Sequence, residues 1–406
     1  MRKNVPVSEL QFGMYVAELD RPWTDTPFKF QGFVLQTTDQ LEALKKYCKT
    51  VYVDPDRTEV LAGLPDQTIT PGHSAVDLSR TGKTKHTERA PVEQEFGRAS
   101  ATHAASETAV RDAFAALRAG HTLDSERVSE AVNGVTESVL RNADAMLLYM
   151  QLQQKGDYTQ SHALDVSVYM TAFGRFLEML PEDLRLLGHL GLLQDVGKMR
   201  LPNDLIQKRE RLTQEEFELA KKHVAHSAEI LRATPGLPQE LPGLALLHHE
   251  RHNGSGYPKG LRAKEIGLVG SIAAIVDTFD ALTARRPYAE PVAPSTALSM
   301  LYKWRGGFFD PHLVEQFIRF IGIFPLGSVV ELNSGEVGIV VAQNLEKRLQ
   351  PRVMVIRDAG GNPLKPQKLL DLSRGHKTAS SEPYRIRRTL EYGRIPVSTE
   401  TLFTNI

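Results

Sequence analysis

The stretch His248-His-Glu-Arg-His-Asn-Gly-Ser-Gly-Tyr-Pro-Lys-Gly260 is the most specific local signal in the chain. Two adjacent imidazoles are followed by Gly254 and Gly256, which allow backbone to approach a ligand closely, and by Pro258, which fixes the exit. Read as the end of a helix over Leu241–Glu250, successive residues His248 and His249 diverge by about 100°. Both then serve a metal only where the site is wide, as a two-metal site is. Outward from this loop, further residues with metal-ligand chemistry recur one helix apart: His162, Asp195, His223 and Asp277. Seven of the 13 histidines lie between His162 and His252. One buried histidine is most simply a hydrogen-bonded core residue, whereas six imidazoles and carboxylates in a single helical region read as a metal site. Imidazole with carboxylate suits iron, manganese, zinc or nickel rather than magnesium or calcium. Asp195 can bridge two metals through its two oxygens. Lys198, three residues after Asp195, and Arg286 in Ala284-Arg-Arg-Pro-Tyr288 supply positive charge where a phosphate would lie.

The organisation around this core is multidomain. Residues 104–322 read as an all-helical bundle, with apolar stripes such as Val128, Val132, Val135 and Val139 at helical spacing. Residues 1–62 read as a small α+β unit: Met14–Leu19, Gly32–Gln36 and Thr50–Asp54 look like strands, and Leu41, Leu44 and Tyr47 mark a helix. Between them, 63–103 is polar, rich in Ser, Thr and Gly, and reads as a flexible linker. Residues 323–372 are β-rich, with turns at Asn333-Ser-Gly-Glu and Asp358-Ala-Gly-Gly-Asn. Residues 373–406 read as an irregular tail.

The composition excludes several classes. Lys plus Arg and Asp plus Glu are both 49, so there is no net charge to hold a nucleic-acid polymer or an anionic membrane surface. The single cysteine, Cys48, excludes an internal disulfide framework. No apolar run has the roughly 18 residues of a membrane span, and no signal segment follows Met1, so a cytoplasmic location is expected.

The segments Tyr158-Thr-Gln-Ser-His162, Leu192-Leu-Gln-Asp-Val-Gly-Lys198, the His248–Gly260 loop and Asp277-Thr-Phe-Asp-Ala-Leu-Thr283, followed by Arg286-Pro-Tyr288, together resemble the HD-GYP family. This is a branch of the HD metal-dependent phosphohydrolases whose members cleave the bacterial second messenger cyclic di-GMP. The likeness covers roughly 145–322. The run from Gly13 to Phe33 is similar to a short domain of unknown role often found ahead of HD-GYP domains. The resemblance implies an HD-type helical bundle holding two divalent transition metals, iron or manganese foremost, with zinc or nickel as alternatives. It implies that His162, Gln194, Asp195, His223, His248, His249 and Asp277 occupy ligand positions, with Asp195 as the bridge. It assigns Lys198 and Arg286 to the substrate phosphates, Asp195 and Lys198 to catalysis, and Gly256, Tyr257 and Pro258 to the signature loop around the substrate. Hydrolysis to linear pGpG, and on to GMP, is the activity implied, in second-messenger control of biofilm and motility. Diguanylate cyclase-type signalling proteins and a second copy of the chain are the partners implied.

Three positions depart from the family pattern. Gln194 stands where the family has the histidine of its His-Asp pair. Asn253 replaces the usual aspartate of the loop, and Tyr158 replaces the glutamate that would help to hold a third metal. Two further readings follow: a catalytically silent sensor or interaction module, and a phosphodiesterase for another cyclic dinucleotide such as cyclic GMP-AMP.

Overall fold

The computed structural model describes residues 3–11, 14–21, 26, 33–35, 38–54, 83–153, 158–208, 210–285, 290–390 and 402–403. At the N-terminus, β1 (Lys3–Pro6), β2 (Tyr15–Leu19), β3 (Phe33–Val34) and β4 (Thr50–Val53) form an antiparallel sheet of order β1-β4-β2-β3. Helix α1 (Thr38–Tyr47) connects β3 to β4, and its Leu44 packs with Val16, Leu19, Leu35, Val51 and Val53 in a small core. Edge strand β1 was not anticipated, because in Lys3-Asn-Val-Pro only Val5 reaches that core. Most of the Arg21–Phe33 motif lies outside the described residues.

The helical bundle comprises α2 (Val92–Arg118), α3 (Ser125–Arg141), α4 (Ala143–Leu152), α5 (Tyr158–Phe176), α6 (Pro181–Leu193), α7 (Asn203–Ile206), α8 (Gln214–Arg232), α9 (Leu241–Leu244), α10 (Gly267–Thr283), α11 (Pro294–Trp304) and α12 (Pro311–Ile321). Its ends carry the expected stop and start chemistry. Asp124 accepts from Arg127 N at the start of α3, Thr213 and Glu216 form a capping box on α8, and Asp310 caps α12 ahead of Pro311. Helix α2 corrects the linker reading. It begins at Val92, inside the stretch 63–103, and buries Val92, Phe96, Ala99 and His103. The buried face also carries Glu95, which interrupts the hydrophobic period that would have marked a helix. Its carboxylate accepts from Ser138 Oγ at 2.9 Å and from the Arg141 guanidinium at 2.8 and 2.9 Å. Residues 55–82 of the same stretch lie outside the described residues.

A second correction concerns Leu241–Glu250. Only α9, Leu241–Leu244, is helical. Beyond it the backbone bonds tighten to three-residue steps, Leu246 N to Gly243 O, Leu247 N to Leu244 O and Glu250 N to Leu247 O. His248 and His249 are therefore on turns rather than successive positions of one helix.

The C-terminal sheet has five antiparallel strands, β5 (Val329–Leu332), β6 (Val337–Ala342), β7 (Arg352–Arg357), β8 (Pro363–Asp371) and β9 (Ile386–Thr389), in the order β8-β7-β6-β5-β9. Strand β9 overturns the irregular tail over that span. Its one buried residue, Ile386, is followed by exposed Arg387 and Arg388, and Arg388 clasps Glu331 of β5 at 2.6 Å. The C-terminal sheet and the bundle share one hydrophobic core, running from Phe173 and Phe317 through Phe320 and Leu326 to Val330 and Val340. No helix among the described residues is long and apolar enough to cross a membrane.

Candidate metal centre

Four helices and one stretch of turns converge on a buried polar pocket in the bundle. Helix α5 brings His162, the end of α6 brings Gln194 and Asp195, α8 brings His223, α10 brings Asp277, and the turns after α9 bring His248 and His249. Gly197 makes the convergence possible, since a Cβ there would overlap the His223 carbonyl and push α8 away from the turn that carries Asp195.

Two ligand groups result. Asp195, His223, His248 and His249 offer donor atoms within 4.8 Å of one another, and His162, Asp195 and Asp277 do the same. Asp195 belongs to both and divides its oxygens between them. Oδ1 lies 3.1 Å from His223 Nε2 and 3.6 Å from His248 Nε2, and Oδ2 lies 3.5 Å from His162 Nε2. His162 Nε2 is 3.1 Å from Asp277 Oδ1. Since His248 and His249 are on a turn, their rings sit 4.1 Å apart, tilted by 46°, and both join the same group. That replaces the 100° divergence expected of a helix.

The imidazoles are aimed from behind. His223 Nδ1 donates to Ala220 O at 2.7 Å and His248 Nδ1 to Ala245 O at 2.8 Å, which turns each Nε2 toward Asp195. His162 Nδ1 lies 2.7 Å from Asp280 Oδ2. Asp280 is a residue that sequence reasoning missed. The available signal was its spacing of three from Asp277 on one helix, which puts both carboxylates on one face.

The electrostatics follow from this packing. Burial raises the cost of the Asp195 charge, but Lys198 and the imidazoles of His162, His223 and His248 hold its carboxyl well below the usual range. Asp277 is likewise depressed against burial by His162. Burial opposes protonation of His162, yet Tyr158 and the carboxylates of Asp195, Asp277 and Asp280 raise it well above its ordinary value. Burial and the neighbouring His248 drive His249 well below its ordinary value.

Two buried oxygens here have no hydrogen-bond partner: Gln194 Oε1 and Asp195 Oδ1. Such atoms cost free energy unless something else satisfies them. With four imidazoles and two carboxylates gathered here, the residues fit a divalent metal site. Gln194 sits with the His162 group, its Nε2 donating to Asp277 Oδ1 at 3.3 Å. At the position of the family's glutamate, Tyr158 stacks on His162 at 5.3 Å.

Lys198 reaches the same centre on the turn after Asp195, its Nζ 2.6 Å from Asp195 Oδ2. In the signature loop, Tyr257 stacks on His249 at 4.7 Å and is followed by a cis peptide to Pro258. Gly256 lies where a Cβ would overlap the backbone of Glu250 and Arg251. Glu250, buried, holds both ends of the loop by accepting from Lys259 N at 2.7 Å and Leu261 N at 2.9 Å. Asn253 caps the loop tip through Ser255 N and Oγ. Arg286 lies outside the described residues. His189 is held by Ser129 Oγ and Arg185 O and takes no part in the centre.

Comparison with known proteins gives three family matches: an HD domain over residues 142–313, a domain of unknown function (DUF3391) over 2–128, and a KOW domain associated with HD domain over 329–378. A cyclic di-GMP phosphodiesterase of Pseudomonas aeruginosa is 32% identical over 380 residues, 93% of this chain and 91% of its own length. A 3'3'-cGAMP-specific phosphodiesterase of Vibrio cholerae is 32% identical over 180 residues, 43% of this chain and 34% of its own. A solved HD-GYP-type protein from Bdellovibrio bacteriovorus is 17% identical, with a TM-score of 0.47 over 79% of this chain and 99% of its own.

Proposed function

Because the chain belongs to the HD-GYP family of HD-domain phosphohydrolases, we propose that it is a metal-dependent phosphodiesterase that hydrolyses cyclic di-GMP to pGpG, with further cleavage to GMP. The observation that carries this reading is Asp195, whose two oxygens face two separate ligand groups. One divalent ion is assigned to Asp195, His223, His248 and His249. The other is assigned to His162, Asp195 and Asp277, with the unpartnered Gln194 Oε1 as an added donor. Iron or manganese suits this donor set best, with zinc or nickel as alternatives. When bound, such ions act as Lewis acids on a phosphoryl oxygen and make water a nucleophile at neutral pH.

The chain itself supplies orientation and charge. Asp195 fixes the two groups at one carboxylate's width. Ala220 O, Ala245 O and Asp280 hold the imidazoles in the ligating orientation. Lys198, and Arg286 by its sequence position, offset the negative charge that builds on the phosphate as the 3′ oxygen leaves. Tyr257, Gly256 and Pro258 line the side of the substrate next to His249. Burial of the carboxylates keeps bulk water from screening these charges.

The test is metal analysis coupled to product detection. Protein loaded with iron or manganese is expected to release pGpG from cyclic di-GMP, and chelation to stop it. Metal-loaded protein that binds the nucleotide but releases no product would sink the enzyme reading. Gln194 favours that second reading, a nucleotide sensor, because its amide is a weaker donor than imidazole. Turnover gained in Gln194→His would then support it. Cyclic GMP-AMP in the same assay decides the substrate, a comparison called for by the Vibrio relative.

A further inference from the structure

We infer that Phe217 and Lys221 of α8 form, with Tyr257, a platform that binds a purine base of the substrate. The inference rests on the cyclic dinucleotide reading and adds to it the residues that recognise the base. Phe217 is one of the few large apolar side chains left in solvent, 41% exposed. It does not stand alone. Its ring packs edge to face on Tyr257 at 6.3 Å, and Tyr257 stacks on His249 at 4.7 Å. Two ring contacts therefore lead from a group at the metal centre to the surface. Lys221, one turn along α8, holds its Nζ 4.7 Å from the Phe217 centroid and 5.4 Å from that of Tyr257. Its ammonium is also tied to Glu218 at 2.7 Å.

The chemistry selects the ligand. A phosphodiester drawn to His249 leaves its nucleoside to run outward past Tyr257. An exposed aromatic face there gives up water readily and stacks a base without preference for sequence. The cation beside it is within the range at which an ammonium interacts with ring faces. It also matches the O6 and N7 acceptors on the edge of guanine. A core role does not explain Phe217, because its ring belongs to neither hydrophobic core of the described residues.

The experiment compares two ligands on manganese-loaded protein. Cyclic di-GMP carries phosphate and base, and inorganic phosphate carries no base. Phe217→Ala is expected to weaken cyclic di-GMP binding about tenfold or more while leaving the phosphate affinity and the metal content unchanged. Phe217→Tyr keeps the stacking face and is expected to retain binding. Lys221→Gln should weaken guanine-containing ligands more than phosphate. Equal loss for both ligands, or no loss for either, overturns the platform. Failure of the underlying substrate reading is distinct, because wild-type protein then binds phosphate but not cyclic di-GMP.

Discussion

At the scale of single residues, the centre depends on groups that never touch substrate. Asp280 is 1% exposed and faces His162 Nδ1. Replacing it by Asn removes the charge while keeping the shape. Partners of this kind are worth roughly 10–100-fold in metal affinity. Asp280→Asn is therefore expected to weaken binding at the His162 group by about tenfold or more, read by competitive metal titration. Unchanged affinity would mean that the carboxylate is only a space-filling neighbour. The ligand positions themselves were legible in the sequence, since imidazoles and carboxylates concentrated in one helical stretch have few other uses. Asp280 was not, because a carboxylate that steers another side chain is recognised only when one knows what faces it across α5 and α10.

Among the elements, the loop from Glu250 to Arg262 shows how backbone can be shaped by one buried acid. Glu250 accepts from two main-chain N–H groups, at 2.7 and 2.9 Å, and so sets where Tyr257 meets His249. In Glu250→Gln one oxygen becomes a donor facing a donor. The unmade bond should cost about 1–3 kcal/mol, seen as a lower denaturation midpoint, and a variant as stable as wild type would exclude this role. Periodicity made α3 readable, through the buried stripe Val128, Val132, Val135 and Val139. It misled at α9, where the turn bonds after Leu244 could not be foreseen from an apolar run. It missed the start of α2, where the buried Glu95–Arg141 pair looks from sequence like a solvated surface. Strand β9 was hidden for a related reason: its inward residue is Ile386 alone, followed by Arg387 and Arg388, which pair with Glu331.

Across the whole molecule, the bundle and the C-terminal sheet meet over a part-buried acid. Asp144 of α4 accepts from Gln343 N, just past β6, at 2.8 Å. Burial pushes its carboxyl up to about 7, only partly countered by the Gln343 bond and by Arg175 and Arg352, with Glu88 adding to the rise. Its folded value thus lies above the unfolded one of about 3.9. The group contributes fully below that unfolded value, and its contribution is lost as pH rises toward about 7. Stability should therefore fall between mildly acidic and neutral pH, and Asp144→Asn should flatten that dependence in a series of thermal melts. An identical slope in the variant would remove Asp144 as the cause.

The core that passes from Phe317 through Leu326 into Val340 stays one apolar cluster across the point where the chain changes from helix to strand. A cut there would leave two wet faces, each too oily to stand in water. The small sheet is thus less an appended module than the floor on which the helices stand, and a recombination event that exchanged it would have to bring a matching floor.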